Sequence, residues 1–210
     1  KQTTVAEHTF VLLIALAKKF WPSPRSTKEG GWKRMTGSEL AGKTIAVLGV
    51  GRIGKEVIKR ASAFDMKSVG FDHYRDEAFA KQYGVTYAPT LEEAVKDADF
   101  ISVHMNLDES NRGFINKDFI SKLKKGAVII NTARGGLVNE HDVAEACKSG
   151  QLGGYGADVL EEEPPKPGHP FNTIDTIIIT PHIGSRTFES VERQALRAVQ
   201  NIVEFLKGGK

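Results

Sequence analysis

From Lys43 onward the chain repeats one pattern: a short run of consecutive apolar residues, a polar or glycine-rich break, then a stretch with helical spacing of its apolar positions. The runs are Thr44–Leu48, Ser68–Phe71, Phe100–Val103, Ala127–Ile130, Tyr155–Ala157 and Thr176–Ile179, with a weaker one at Val85–Tyr87. They do not alternate apolar with polar, so each is expected to be covered on both faces, as strands of a parallel sheet are. Helical segments at Ile53–Phe64, Asp76–Gln82, Leu91–Lys96, Lys117–Leu123 and Asp142–Lys148 separate most of them. The alternation predicts an α/β domain: a doubly wound parallel sheet of about seven strands with helices on both faces, since right-handed crossovers leave few other topologies.

The flanks follow other patterns. Val5–Phe20 reads as a helix, apolar on most sides and therefore buried, and stopped by Trp21-Pro22-Ser23-Pro24 because proline lacks the amide donor. Residues 21–43 are rich in Gly, Pro, Ser and Lys and read as an extended arm, whose Trp32 and Met35 require a partner surface. At the other end, Ser185–Lys207 is a longer helix with Val191, Ala195, Leu196, Val199, Ile202, Val203 and Leu206 in helical period, closed by Gly208-Gly209. The expected organisation is thus a helix over 1–20, an arm over 21–43, the sheet domain over 44–184 and a terminal helix over 185–207.

Composition narrows the function classes. A chain of 210 residues, 40% hydrophobic and 26% charged, is long enough for one domain with an appendage and is ordinary for a water-soluble protein. Cys147 is the only cysteine, which excludes a disulfide scaffold and fits a reducing, cytoplasmic setting. The longest apolar run, Phe10 to Ala17, falls short of the about 20 residues a bilayer requires, so no membrane is expected. A net charge of +3, with Lys18, Lys19, Arg25, Lys28, Lys33 and Arg34 gathered near the arm, reads as a solvated face and not as a nucleic-acid surface. His8, His73, His141 and His169 lack ligand spacing with cysteine or carboxylate partners, so no metal is expected.

The first strand ends in Gly49-Val50-Gly51-Arg52-Ile53-Gly54, a G-x-G-x-x-G spacing between a strand and a helix. Gly49 permits the tight turn, Gly51 lets the backbone approach a pyrophosphate, and Gly54 allows close helix packing. The unpaired N–H groups of the helix start face the phosphates. Asp72 closes the next strand, where a carboxylate accepts hydrogen bonds from ribose hydroxyls and repels a 2′-phosphate. This is the Rossmann fingerprint, and it favours NAD over NADP, with the nearby Arg75 able to soften the preference.

Three later segments each follow a predicted strand: Asn131-Thr132-Ala133-Arg134-Gly135, Gly156-Ala157-Asp158-Val159-Leu160-Glu161-Glu162-Glu163-Pro164, and Pro181-His182-Ile183-Gly184. They deliver an arginine, a glutamate and a histidine to one rim of one sheet, where doubly wound folds bind ligands. With these motifs and Ala6-Glu7-His8, essentially the whole chain resembles the cofactor domain of the D-isomer-specific 2-hydroxyacid dehydrogenases. The resemblance implies an oxidoreductase that moves a hydride between NAD(H) and a small 2-oxo or D-2-hydroxy acid. It gives Arg134 the substrate carboxylate, His182 the proton transfer, and Glu163 the pairing with that histidine. Glu161 and Glu162 compete with Glu163 until the family's spacing from Asp158 selects Glu163. Asp158 matches the residue that binds the nicotinamide carboxamide, and Arg52 and Ile53 match positions at the pyrophosphate. His104, Asn106, Asn111, Thr132, Ala133 and Gly184 are expected around the cofactor. Asn106 stands where much of the family has proline, and Asn111 where threonine is common.

The resemblance also implies a two-fold homodimer through the first helix and the arm. Family members carry a second α/β domain, so 1–210 is expected to be the cofactor domain alone, with the first helix on the hinge side, the last helix returning toward that second domain, and little activity by itself. A NAD(H)-sensing module like the family's transcriptional corepressors, which keep the same Arg, Glu and His, stays open as the alternative.

Overall fold

A computed structural model describes residues 2–21 and 23–208. Its centre is a seven-stranded, all-parallel sheet of β1 (Thr44–Leu48), β2 (Lys67–Phe71), β3 (Val85–Tyr87), β4 (Phe100–Val103), β5 (Ala127–Asn131), β6 (Leu152–Ala157) and β7 (Ile177–Ile179), in the order β3-β2-β1-β4-β5-β6-β7. The predicted doubly wound Rossmann-type sheet is therefore observed, the weak strand at Val85 included. The order reverses between β1 and β4, and the crevice at that reversal is where the glycine turn sits.

Eight helices accompany the sheet among the described residues: α1 (Gln2–Ala17), α2 (Ser23–Lys28), α3 (Arg52–Ala63), α4 (Glu77–Tyr83), α5 (Leu91–Val95), α6 (Lys117–Ser121), α7 (Glu140–Ser149) and α8 (Phe188–Leu206). One face is covered by α1 and α3, whose Leu12, Leu13, Val57 and Ile58 pack on Ile45, Val47 and Ile130. On the other, Ile120 and Val143 pack against Ile101, Val103, Ile129 and Tyr155. Alternate residues of β4 and β5 thus serve opposite cores, which is why their sequences are continuously apolar.

Short polar residues begin most of the helices. Asp76, Thr90, Asn116, Asn139 and Thr187 each accept a hydrogen bond from the backbone N–H three residues on, starting α4 to α8. Helix α3 differs: Gly51 occupies its cap position and supplies no side-chain acceptor.

Two expectations at the flanks are corrected. Helix α1 starts at Gln2 and ends at Ala17, short of the proline, because Lys19 turns left-handed at φ 51. Pro22 and Gly209, read as stop signals, lie outside the described residues. The arm is not extended throughout: residues 23–28 form α2, and Ser38 N–H donates to the Ala17 carbonyl at 2.7 Å. Leu40 is buried, while Trp32 and Met35 stay exposed at 79% and 44%. In α8 only Ser190 is buried, and its apolar series from Val191 to Leu206 faces outward.

Candidate active site

The glycine turn at the end of β1 is shaped by its neighbours. Gly49 has φ 93, and a Cβ there would lie 2.7 Å from the His104 carbonyl oxygen. A Cβ on Gly54 would lie 2.1 Å from the Gly49 carbonyl oxygen, so α3 can start this close to the turn only with glycine at 54. At Gly51 a Cβ would meet nothing within 4 Å. The turn therefore has open space before it, with the uncapped N–H groups of α3 beside that space. Asp72 stands next to it: one carboxylate oxygen accepts from Val50 N–H at 2.7 Å and the other from Tyr74 N–H at 3.0 Å. The turn leaves room before Gly51 for a dinucleotide, which Gly51 and Asp72 could hold.

The loop after β4 braces this turn. The ring of His104 points inward, where Nε2 meets the hydroxyl of buried Ser102 at 2.7 Å and Nδ1 is buried without a partner, so its segment faces the site with backbone. Burial pushes its pKa down to about 3, so the ring is neutral. Its backbone N–H donates to the Leu48 carbonyl at 2.7 Å. Asn111 binds the Asn106 carbonyl at 2.7 Å and accepts from Asp108 N–H at 2.9 Å, so its amide shapes the loop.

After β5, the buried Asn131 folds the next turn. Its Oδ1 accepts from Ala133 N–H at 3.0 Å and its Nδ2 donates to the Arg134 carbonyl at 2.9 Å. Thr132 is held from α1 by a 3.0 Å bond to Thr9. Arg134 is left exposed, its guanidinium donating to the Ala133 carbonyl. Gly135 is why this turn touches the loop after β6: a Cβ there would sit 1.9 Å from the Leu160 carbonyl carbon.

Asp158, at the end of β6, has 3% of its surface exposed. Its carboxylate accepts from the Thr180 hydroxyl at 2.6 Å, Ile183 N–H at 2.9 Å and Gly184 N–H at 2.7 Å, with His8 Nε2 at 3.3 Å. Burial works to raise its pKa, but the bonds from His8, Thr180, Gly184 and Ile183 prevail and hold it below the usual aspartate range. The carboxylate thereby ties down the turn in which His182 has φ 54, a strained value for a residue with a Cβ. A Cβ at Gly184 would lie 2.8 Å from Asp158 Oδ2, so glycine is needed there too.

His182 Nδ1 lies 2.8 Å from Glu163 Oε2, and Glu163 Oε1 accepts from Leu160 N–H at 3.0 Å. Partial burial would raise the Glu163 pKa, but the hydrogen bonds from His182 and Leu160 hold it below the ordinary glutamate range. The other two glutamates are turned elsewhere, Glu161 toward Arg112 at 3.7 Å and Glu162 toward Lys166 at 2.9 Å. Glu140 pins the same loop, accepting from Glu161 N–H and meeting His169 Nε2, both at 2.9 Å. A cleft of about 420 Å³ opens beside the pair, lined by Leu160, Glu163, Thr180 and His182 among others. His8, Thr9, Asn131, Gly135, Glu140 and Thr180 were not singled out as site residues by the sequence. For His8 and Thr9 a signal existed: polar residues inside an apolar helix must find buried partners.

Residues 10–184 match the family model described as D-isomer specific 2-hydroxyacid dehydrogenase, NAD binding domain. The chain is 41% identical over 207 residues to D-3-phosphoglycerate dehydrogenase of Methanocaldococcus jannaschii, covering 98% of itself and 39% of that protein. It is 40% identical over 207 residues to hydroxypyruvate reductase of Thermotoga maritima, covering 97% of itself and 66% of that protein. D-lactate dehydrogenase from Aquifex aeolicus, solved with NAD and lactic acid, superposes with a TM-score of 0.90 at 31% identity, over 100% of this chain and 68% of that one. The chain thus spans about two fifths to two thirds of the length of these relatives. The chain belongs to the D-isomer-specific 2-hydroxyacid dehydrogenase family and forms its NAD-binding domain.

Proposed function

We propose that the protein to which this chain belongs transfers a hydride between NAD(H) and a small 2-oxo or D-2-hydroxy acid, with Arg134, Glu163 and His182 as the catalytic set. The observation that carries this is the 2.8 Å Glu163–His182 pair, braced at Leu160, on the rim that also holds Arg134. The nicotinamide supplies or takes the hydride. With Nδ1 engaged by Glu163, His182 has Nε2 free to give a proton to a carbonyl oxygen or take it back. Glu163 fixes the ring's orientation and balances its charge when protonated. Arg134, with a fork of donors at the exposed end of its turn, binds the substrate carboxylate. The backbone of Gly49, Gly51, Arg52, Ile53 and Gly54 holds the diphosphate, and Asp72 the ribose. Thr132, Ala133, Asp158 and Gly184 border the nicotinamide end. His104, Asn106 and Asn111 act on the cofactor through the shape of their loop.

In the full-length protein, His182→Ala is expected to lower kcat by about 10²- to 10⁴-fold. Arg134→Ala should act mainly on kcat/KM, by about ten- to a hundredfold. Steady-state rates with NADH and a panel of 2-oxo acids test this, and near-parental turnover by His182→Ala removes the assignment. A sensing module would turn over slowly with every acid tried, and the relatives named above are two dehydrogenases and a reductase.

The same reading carries a two-fold homodimer on α1 and the arm, with the exposed Trp21, Trp32 and Met35 as contacts, with α1 on the hinge side of the domain and α8 returning toward the second domain. It also carries a cytoplasmic setting, consistent with a single buried, unpaired cysteine. No helix among the described residues is long and apolar enough to cross a membrane.

A further inference from the structure

Helix α8 is exposed on all sides beyond its first turn: Leu196, Val199 and Ile202 have 56–59% of their surface exposed, Arg193, Gln194 and Arg197 are exposed as well, and Ser190 is its one buried residue. Arg193 and Arg197 are one helical turn apart, so they share a face, and Ser190 and Gln194 adjoin it, with Gln194 bonded to Ser190 at 3.0 Å. That face looks onto the start of α3. A cavity of about 450 Å³ is lined by Gln2, Arg52, Ile53, Arg193, Gln194 and Arg197.

This cavity has three arginines and no acid on its walls. The arginines that form ion pairs among the described residues are Arg25, Arg60 and Arg112. Arg52, Arg193 and Arg197 are not among them, and Glu189, one turn before Arg193, does not pair with it. Arg52 is also the first residue of a helix that has no side-chain cap, so the partial positive charge of that terminus adds to the three guanidiniums. Like charges collected around one space repel unless an anion enters it. Arg52, on the wall of this cavity, directly follows Gly51, where a Cβ would meet nothing within 4 Å.

We propose that Arg193 and Arg197 of α8, together with Arg52, clamp the diphosphate of the bound dinucleotide, so that α8 closes the phosphate end of the cofactor site. The proposal rests on the cofactor reading above and adds two binding residues from an element outside the fingerprint. Guanidinium forks suit phosphate oxygens, and each such contact is a charge-assisted hydrogen bond. Both residues are exposed, so their replacement leaves the fold intact.

The test is calorimetry on the 210-residue chain and its Arg193→Gln/Arg197→Gln variant, with NADH, ADP, adenosine and inorganic pyrophosphate as probes. The double variant is expected to bind NADH and ADP about ten- to a hundredfold more weakly, with adenosine unchanged. The difference should shrink as salt is raised. Arg193→Lys/Arg197→Lys should recover part of the loss. Unchanged NADH and ADP affinities in the glutamine variant overturn the clamp. Pyrophosphate binding that is lost in the variant but does not compete with NADH overturns it too, by assigning the arginines to a separate anion. If the unaltered chain fails to bind NADH at all, the cofactor reading itself falls, an outcome distinct from a loss confined to the variant.

Discussion

Asp158 keeps a charge in a nearly sealed position because each of its oxygens is used: two backbone N–H groups, a hydroxyl and the His8 ring surround it. Its folded-state pKa is lowered, so the stabilisation is complete above the ordinary aspartate value, near 3.9, and is lost as pH falls through the folded value. Asp158→Asn turns an amide toward donors that need an acceptor. It is expected to cost about 2 kcal/mol at pH 7 in urea unfolding, and the gap to the parent should narrow below about pH 4. A gap constant from pH 7 to pH 3 would remove the charge from the account. Gly135 works by having no side chain. Gly135→Ala places a methyl group inside the Leu160 backbone, which must then retreat and disturb its bond to Glu163. A loss of about 1–3 kcal/mol or more is expected, read as a lower urea midpoint, and an unshifted midpoint would show that the loops part freely. The selection of Glu163 shows what residue-level reading lacks. Three consecutive glutamates are chemically alike, and which one meets His182 depends on where Glu140 and Leu160 pin the loop.

Among the elements, the strands were legible because each lies between two cores and must be apolar throughout, and the observed bounds differ from the expected ones by at most three residues. The arm was harder to read. Its composition signals no regular structure, yet α2 forms there, and Gly37 packs so close to the end of α1 that a Cβ would lie 2.5 Å from the Ala17 carbonyl oxygen. The β1–α3 junction and the end of β2 act as one unit, since the Asp72 carboxylate is bonded to Val50 in the glycine turn. Asp72→Ser removes both the brace and the charge that would repel a 2′-phosphate. The chain is expected to prefer NADH over NADPH, and the variant to lose about tenfold or more of that preference. Calorimetry with both cofactors decides it: equal or reversed affinities in the unaltered chain would sink the role given to Asp72.

At the scale of the whole molecule, the apolar side chains left in water are distributed unevenly. Trp21, Trp32 and Met35 cluster on the arm, and α8 carries a second series from Phe188 to Leu206. Exposed apolar surface of this kind marks association. A dimer in solution is therefore expected, and light scattering at micromolar concentration measures it. Trp32→Lys together with Met35→Lys should shift the mass toward a monomer without lowering the melting temperature of the sheet domain. A monomeric mass for the unaltered chain would remove the arm from the interface. The sheet order bears on the site directly: placing β5, β6 and β7 side by side puts Arg134, then Asp158 and Glu163, then His182 past successive strand ends.

The sequence by itself determined the architecture and the motif residues, because both rest on local rules: apolar runs that must be buried, glycines where backbone approaches backbone, and short polar caps. It named Arg134, Glu163 and His182 through their motifs, and Asp72 through its place at a strand end. The tertiary structure alone decided which side chains work together. Thr9 reaches Thr132, and His8 reaches Thr180 and Asp158, across a gap in sequence that no periodicity spans. The ring of His104 turns inward beside Ser102, since facing inward or outward at a strand end is settled by the neighbouring layer. The arginines of α8 drew no reading from the sequence; only the three-dimensional placement of that helix sets them around one cavity with Arg52.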